Sequence, residues 1–125
     1  MSETLVICVV DDDPSVRSSL GRLFESVGLG VETFSDAESF LLHEARQPSQ
    51  VVVLDFAMPG MNGLEVLRVL RQRGSQQPAI FLTAHTDLTL REMASQAGVF
   101  AFYDKPFDPD ALIQSVHDAL RKCQA

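Results

Sequence analysis

Asp11, Asp12, Asp55, Thr83 and Lys105 have side chains suited to phosphate and metal chemistry, and each lies at or just past the end of a short hydrophobic run. The runs are residues 5–10, 51–54, 79–82 and 99–103. Brought together, Asp11, Asp12 and Asp55 would repel one another, and burying like charges either raises a pKa or recruits a cation. All-oxygen donors in a surface cleft favour magnesium, with manganese as a substitute; magnesium keeps several waters and takes one or two carboxylates plus a phosphate oxygen. A calcium loop of the EF-hand type is excluded, because its acidic spacing and terminal glutamate are missing. With a metal neutralising its neighbours, one carboxylate is free to attack a phosphoryl group and form an aspartyl phosphate. Asp55 is the expected nucleophile, since it alone is single and ends a central strand. Thr83 and Lys105 suit the remaining task, which is to hold the equatorial phosphoryl oxygens by a hydroxyl and a point charge while charge shifts.

These residues are far apart in the chain, so the elements between them must bring them together. Strand-like apolar runs alternate with helical-period segments along the whole length, the pattern of βα units around a mostly parallel sheet. In such sheets ligand sites lie beyond the carboxyl ends of the strands, where all the polar groups named above would then meet. Val16, Leu20, Leu23, Phe24 and Val27 mark one buried helical face, with Asp13-Pro14 as cap and first-turn proline and Gly28 as stop. A strand at 31–34 leads to Ser35 and Glu38, which have capping-box spacing before a second helix. The Met58 to Gly63 turn precedes a third helix carrying Leu64, Val66, Leu67 and Leu70. A fourth helix over about 88–97 has a thin apolar face of Leu90, Met93, Ala94 and Ala97 and is expected to be the least firmly anchored. Asp108-Pro109 starts a fifth, whose inner stripe is Leu112, Ile113, Val116 and Leu120. Lys105 precedes Pro106, which biases it to extended backbone and aims its side chain.

Composition bounds the function. A chain of 125 residues that is 46% hydrophobic fits one domain, residues 1–125, with an ordinary core and one site. Its net charge of −7 argues against direct nucleic-acid binding, since phosphate backbones would be repelled and no basic stripe is present. The N-terminal apolar run is too short for a signal peptide or membrane span, so no membrane partner and a cytoplasmic location are expected. The two cysteines, Cys8 and Cys123, read as free thiols, Cys8 as a small core residue without zinc-ligand neighbours.

Taken together, Val10-Asp11-Asp12-Asp13, Leu54-Asp55-x-x-Met58-Pro59-Gly60-x-x-Gly63, Leu82-Thr83-Ala84 and Lys105-Pro106-Phe107 resemble the receiver domain of two-component response regulators over nearly the whole chain. Each piece alone is weak; four in the right order and spacing are specific. The resemblance implies a doubly wound, flavodoxin-like α/β fold with five parallel strands in the order 2-1-3-4-5, five helices, and a cis bond between Lys105 and Pro106. It implies Asp55 as phosphoacceptor, Asp12 and Asp55 as direct magnesium ligands, Asp11 as a ligand through water, and the Ala57 backbone carbonyl as a further ligand. Phe102, three residues before the lysine, takes the place of the family's switch aromatic. It would turn inward as Thr83 moves toward the phosphoryl group, changing the face made by the fourth helix, fifth strand and fifth helix. The implied partners are a sensor histidine kinase, an output domain or regulated protein on that face, and a phosphorylation-linked second copy. The domain is then a signalling module that catalyses only its own phosphoryl uptake and loss. Pro14 to Arg17 and Thr83 to Asp87 further resemble the FixJ-type subgroup, whose receivers often precede a helix-turn-helix output domain. These 125 residues hold no such domain, so the chain is expected to be either an excised receiver or one that works alone, and residues 121–125 are compatible with a linker cut short.

Plainer roles compete at several positions. Asp13, with Pro14 behind it, reads as a helix cap rather than a metal ligand. Thr83 alone would be an ordinary strand-end residue; its companions make it a site candidate. His85 stands close enough to influence water attack on an aspartyl phosphate, or simply to line the rim. His43 and His117 have no acidic or nucleophilic partner at useful spacing and read as packed or solvated. Tyr103 alternates to the side opposite Phe102. A haloacid-dehalogenase-type phosphatase is the rival function and would make Asp11 the nucleophile, but it leaves the Asp55 turn unexplained and lacks a late acidic pair. A flavin binder would bring an anionic cofactor against three aspartates.

Overall fold

Val- and Ile-rich runs become strands because branched side chains pack well on a pleated surface, and the amphipathic segments between them become the crossover helices. The computed structural model describes residues 6–84 and 88–124, except the side chains of 123 and 124. In order, the elements are β1 (Val6–Val10), α1 (Pro14–Ser26), β2 (Gly30–Phe34), α2 (Ala37–Arg46), β3 (Val51–Asp55), α3 (Gly63–Gln72), β4 (Ala79–Thr83), α4 (Leu88–Gln96), β5 (Ala101–Asp104) and α5 (Pro109–Gln124). All strand pairs are parallel, in the order β2-β1-β3-β4-β5. This is the expected doubly wound sheet.

Alternation along the strands sorts the core into two layers. Cys8, Val10, Val52, Leu54 and Phe81 face Phe40 of α2, Leu67 and Leu70 of α3 and Ala94 of α4. Ile7, Val9, Val53, Ile80 and Leu82 face Leu20 and Phe24 of α1 and Leu112, Val116 and Ala119 of α5. Each large apolar side chain so buried contributes roughly 1.5–3 kcal/mol. The β3 and β4 strands are buried on both faces, which is why their sequences read as unbroken apolar runs.

Several boundaries differ from the sequence reading. The cap of α2 is Asp36, not Ser35: its carboxylate accepts from the Ser39 N–H at 2.8 Å, so the Ser35/Glu38 box does not form. A capping box occurs instead at α3, where Asn62 and Glu65 bond each other's backbone N–H. Val27 is 39% exposed because α1 ends before it and the chain turns through Gly28 at φ 81°. The fifth strand begins at Ala101 rather than Val99, whose N–H closes α4 on the Ala94 carbonyl after the Gly98 turn. The stripe of α5 includes Ala119, while Ile113 is only half-buried. Asp13 caps α1 as expected, accepting from Ser15 N–H at 2.8 Å. Leu5 and Cys123's side chain lie outside the described residues.

Candidate functional site

β1 and β3 lie side by side where the strand order reverses, and their pairing of Val10 with Leu54 brings the next residues, Asp11 and Asp55, to the same sheet edge. Pairing of Asp55 with Leu82, and of Thr83 with Asp104, continues that edge across β4 and β5 to Lys105. Register alone thus assembles residues that are far apart in sequence.

The turn after β3 is fixed from several directions. The N–H of Phe56 bonds the Leu82 carbonyl and that of Gly63 bonds the Phe56 carbonyl, both at 2.8 Å. A Cβ at Gly63 would sit 3.1 Å from the Asp55 carbonyl oxygen and the Phe56 Cα, so glycine lets α3 start directly against the strand that carries Asp55. The Lys105 N–H bonds the Thr83 carbonyl at 2.7 Å, and the Lys105–Pro106 bond is cis, as the resemblance implied.

Asp11, Asp55 and Thr83 are 1%, 6% and 0% exposed, and Asp12 is open to solvent. One carboxylate oxygen from each of Asp11, Asp12 and Asp55 falls within 4.8 Å of the others. The Lys105 ammonium donates to Asp11 Oδ2 at 2.9 Å and stands 3.6 Å from Asp55 Oδ1. Asp11 is held further by the Asp13 N–H on Oδ1 at 2.9 Å and by Arg17 Nη1 on its backbone carbonyl at 2.7 Å. The Ala57 N–H reaches Asp55 Oδ1 at 3.3 Å. Three carboxylates against one ammonium leave two negative charges uncompensated, and this all-oxygen set fits a hard divalent cation.

The electrostatics follow from that crowding. Burial, then the Asp11 charge, pushes the Asp55 carboxyl up to about 6, against the lowering effect of Lys105 and the Ala57 N–H. For Lys105, burial works to lower the ammonium pKa, but the hydrogen bond and charge of Asp11, joined by Asp55, outweigh it and the net direction is upward.

Other expectations fare differently. Phe102 faces the α2/α3/α4 layer and packs near Phe81, while Tyr103 faces the α1/α5 layer, where its hydroxyl meets the Ala111 carbonyl and Ser115. Cys8 is a buried core thiol, pushed up to about 12 mainly by burial. His43 does have an acidic neighbour, contrary to the sequence reading: Glu32 Oε2 on β2 lies 3.7 Å from its Nε2, a contact that needs the β2/α2 packing and leaves no trace in spacing. His117 is half-buried on α5, and His85 lies outside the described residues. Sequence reasoning missed two arginines. Arg17 falls inside the Pro14 to Arg17 motif, and its place one turn into α1 is the signal for reach to the β1 end; nothing in the spacing marks Arg91.

A model of the response regulator receiver domain matches residues 7–117. Over 116 residues the chain is 40% identical to the response regulator protein TodT of Pseudomonas putida, covering 93% of this chain and 51% of TodT. It is also 40% identical over 120 residues to the transcriptional regulatory protein FixJ of Azorhizobium caulinodans, covering 96% of this chain and 57% of FixJ. The crystal structure of FixJ-N superimposes with a TM-score of 0.87 at 32% identity, covering 97% of this chain and 96% of that one. For the response regulator StyR the TM-score is 0.90 at 38% identity, covering 98% of this chain and 62% of that one. The chain thus spans about half the length of TodT. The acidic edge, the four motifs that line it and these likenesses agree: the chain belongs to the response regulator receiver domain family, the phosphorylation-dependent switches of two-component signalling.

Proposed function

We propose that residues 1–125 work as a single receiver domain that accepts a phosphoryl group on Asp55 from a sensor histidine kinase. The observation that carries this is the cluster of Asp11, Asp12 and Asp55 with the Lys105 ammonium between Asp11 and Asp55. Both oxygens of Asp11 already hold partners at 2.9 Å, whereas the contacts of Asp55 run at 3.3 and 3.6 Å. That difference favours Asp55 over Asp11 as nucleophile and speaks against the phosphatase alternative.

An Asp55 carboxylate oxygen attacks phosphorus, forming a P–O bond as the P–N bond to the donor imidazole breaks and the imidazole nitrogen keeps the electron pair. Magnesium, or manganese, held by Asp12, Asp55 and the Ala57 carbonyl and by Asp11 through water, would supply charge neutralisation for the carboxylates and the phosphoryl oxygens. Lys105 holds one phosphoryl oxygen as a point charge and leaves Asp11 to do so. The Thr83 hydroxyl bonds another. As Thr83 moves, Phe102 turns inward and alters the α4-β5-α5 face, which contacts an output domain, a regulated protein or a second phosphorylated copy. The domain acts on no substrate but itself and works in the cytoplasm; among the described residues no helix is long and apolar enough to cross a membrane.

The test is intact mass after incubation with magnesium and acetyl phosphate. A single phosphoryl adduct is expected for the wild-type chain, absent in Asp55→Asn and weakened in Asp11→Asn. An adduct that persists in Asp55→Asn would overturn the assignment.

A further inference from the structure

Arg91 makes a pair of contacts that the site chemistry leaves unused. Its guanidinium carbon lies 4.8 Å from the centroid of the Phe102 ring, and its Nη2 donates to Asp104 Oδ2 at 3.1 Å. Phe102 and Asp104 are two residues apart on β5 and share a strand face, so one planar group spans both. The other oxygen of Asp104, Oδ1, is buried without a hydrogen-bond partner among the described residues, and Arg91 is the cation paired with this carboxylate. The helix that supplies Arg91 is otherwise thinly attached. Ala94 is its one buried residue, and Leu88 is 78% exposed. At the other end of the link, Asp104 pairs in register with Thr83 and directly precedes Lys105. The guanidinium therefore joins the least anchored helix to the strand that carries both the aromatic and the lysine.

We infer that Arg91 is a positioning residue for the switch: by stacking on Phe102 and pairing with Asp104 it clamps α4 to β5 in the unphosphorylated protein and opposes the inward turn of Phe102. Its functional meaning rests on the phosphoacceptor reading of Asp55; its geometry does not. Guanidinium and ring stay in contact only while the ring keeps its present position. Turning it inward forfeits the stack and leaves a solvent-accessible ion pair, which is weak by itself. The phosphorylated arrangement must therefore form against the clamp, and loosening the clamp shifts the population toward it. Lysine can replace Arg91 only in part, because an ammonium keeps the charge but lacks the plane that faces the ring while its edge meets the carboxylate.

The experiment measures two things in wild type, Arg91→Ala, Arg91→Lys, Asp104→Asn and the Arg91→Ala/Asp104→Asn double variant. The first is amide hydrogen exchange across α4 without magnesium or phosphate, and the second is the rate of phosphoryl uptake from acetyl phosphate with magnesium. Arg91→Ala is expected to speed both by about threefold to tenfold. Arg91→Lys should fall between it and wild type, and Asp104→Asn should add little once Arg91 is gone. Unchanged α4 exchange in Arg91→Ala, full additivity of the two substitutions, or slower uptake in Arg91→Ala would overturn the clamp. Faster exchange with no uptake in any protein, wild type included, would uphold the clamp as a contact and overturn the phosphoacceptor reading instead.

Discussion

At the scale of single residues, the decisive quantity is the charge on Asp55. Burial and the Asp11 charge hold its carboxyl at about 6, above the ordinary 3.8, so the folded chain binds this proton more tightly than the unfolded chain. The stability tied to that proton is complete below pH 3.8 and is lost as pH rises through about 6. Above that window the metal-free protein carries an ionised, crowded carboxylate that costs at most about 3 kcal/mol. In chelator, Asp55→Asn is therefore expected to raise the melting temperature at pH 7.5 and to flatten its decline between pH 4 and 7; denaturation followed across that range checks both. Equal stability of the two proteins at pH 7.5 would mean that Lys105 alone balances the cluster.

At the scale of elements, the turn and strand next to Asp55 matter more than any single side chain. Gly63 starts α3 with its Cα against the end of β3, and a methyl group there would press on the Asp55 carbonyl and the Phe56 Cα at 3.1 Å. Both are backbone atoms, so relief requires the turn that follows Asp55 itself to move. Gly63→Ala is expected to destabilise the fold by about 1–3 kcal/mol and to slow phosphoryl uptake; urea denaturation and the acetyl phosphate reaction measure the two effects separately. On β5, Phe102→Ala should retain phosphoryl uptake while weakening control of the partner, because the ring touches Phe81 and Arg91 rather than the acidic cluster. Normal partner control by phosphorylated Phe102→Ala would refute the switch role.

At the scale of the whole molecule, two apolar layers on one parallel sheet fix the edge on which the chemistry depends. Phe24 is fully buried among α1, the sheet and α5, on the layer opposite Phe102. Phe24→Ala is expected to cost about 3–5 kcal/mol in thermal or urea unfolding, and the phosphoryl adduct of the surviving folded fraction should still form on Asp55. Much of this architecture was legible in the chain. The continuous apolar runs and the intervening helical stripes specified alternating β and α elements, since burial on both sheet faces leaves no room for polar residues in β3 and β4. Asp13-Pro14 and the Met58 to Gly63 turn were readable because capping and turn chemistry are local. The sequence also marked Asp11, Asp12, Asp55, Thr83 and Lys105, because few side-chain types can hold metal and phosphate. Local spacing failed where two patterns competed, as at Ser35 against Asp36, or where a turn consumed an apolar residue, as at Val99. Tertiary structure alone decided which groups meet: Lys105 between Asp11 and Asp55 and nearer Asp11, Glu32 beside His43, and Arg91 across Phe102 and Asp104. Those meetings depend on strand register and on how each helix sits against the sheet, and neither is carried by the order of residues within a single element.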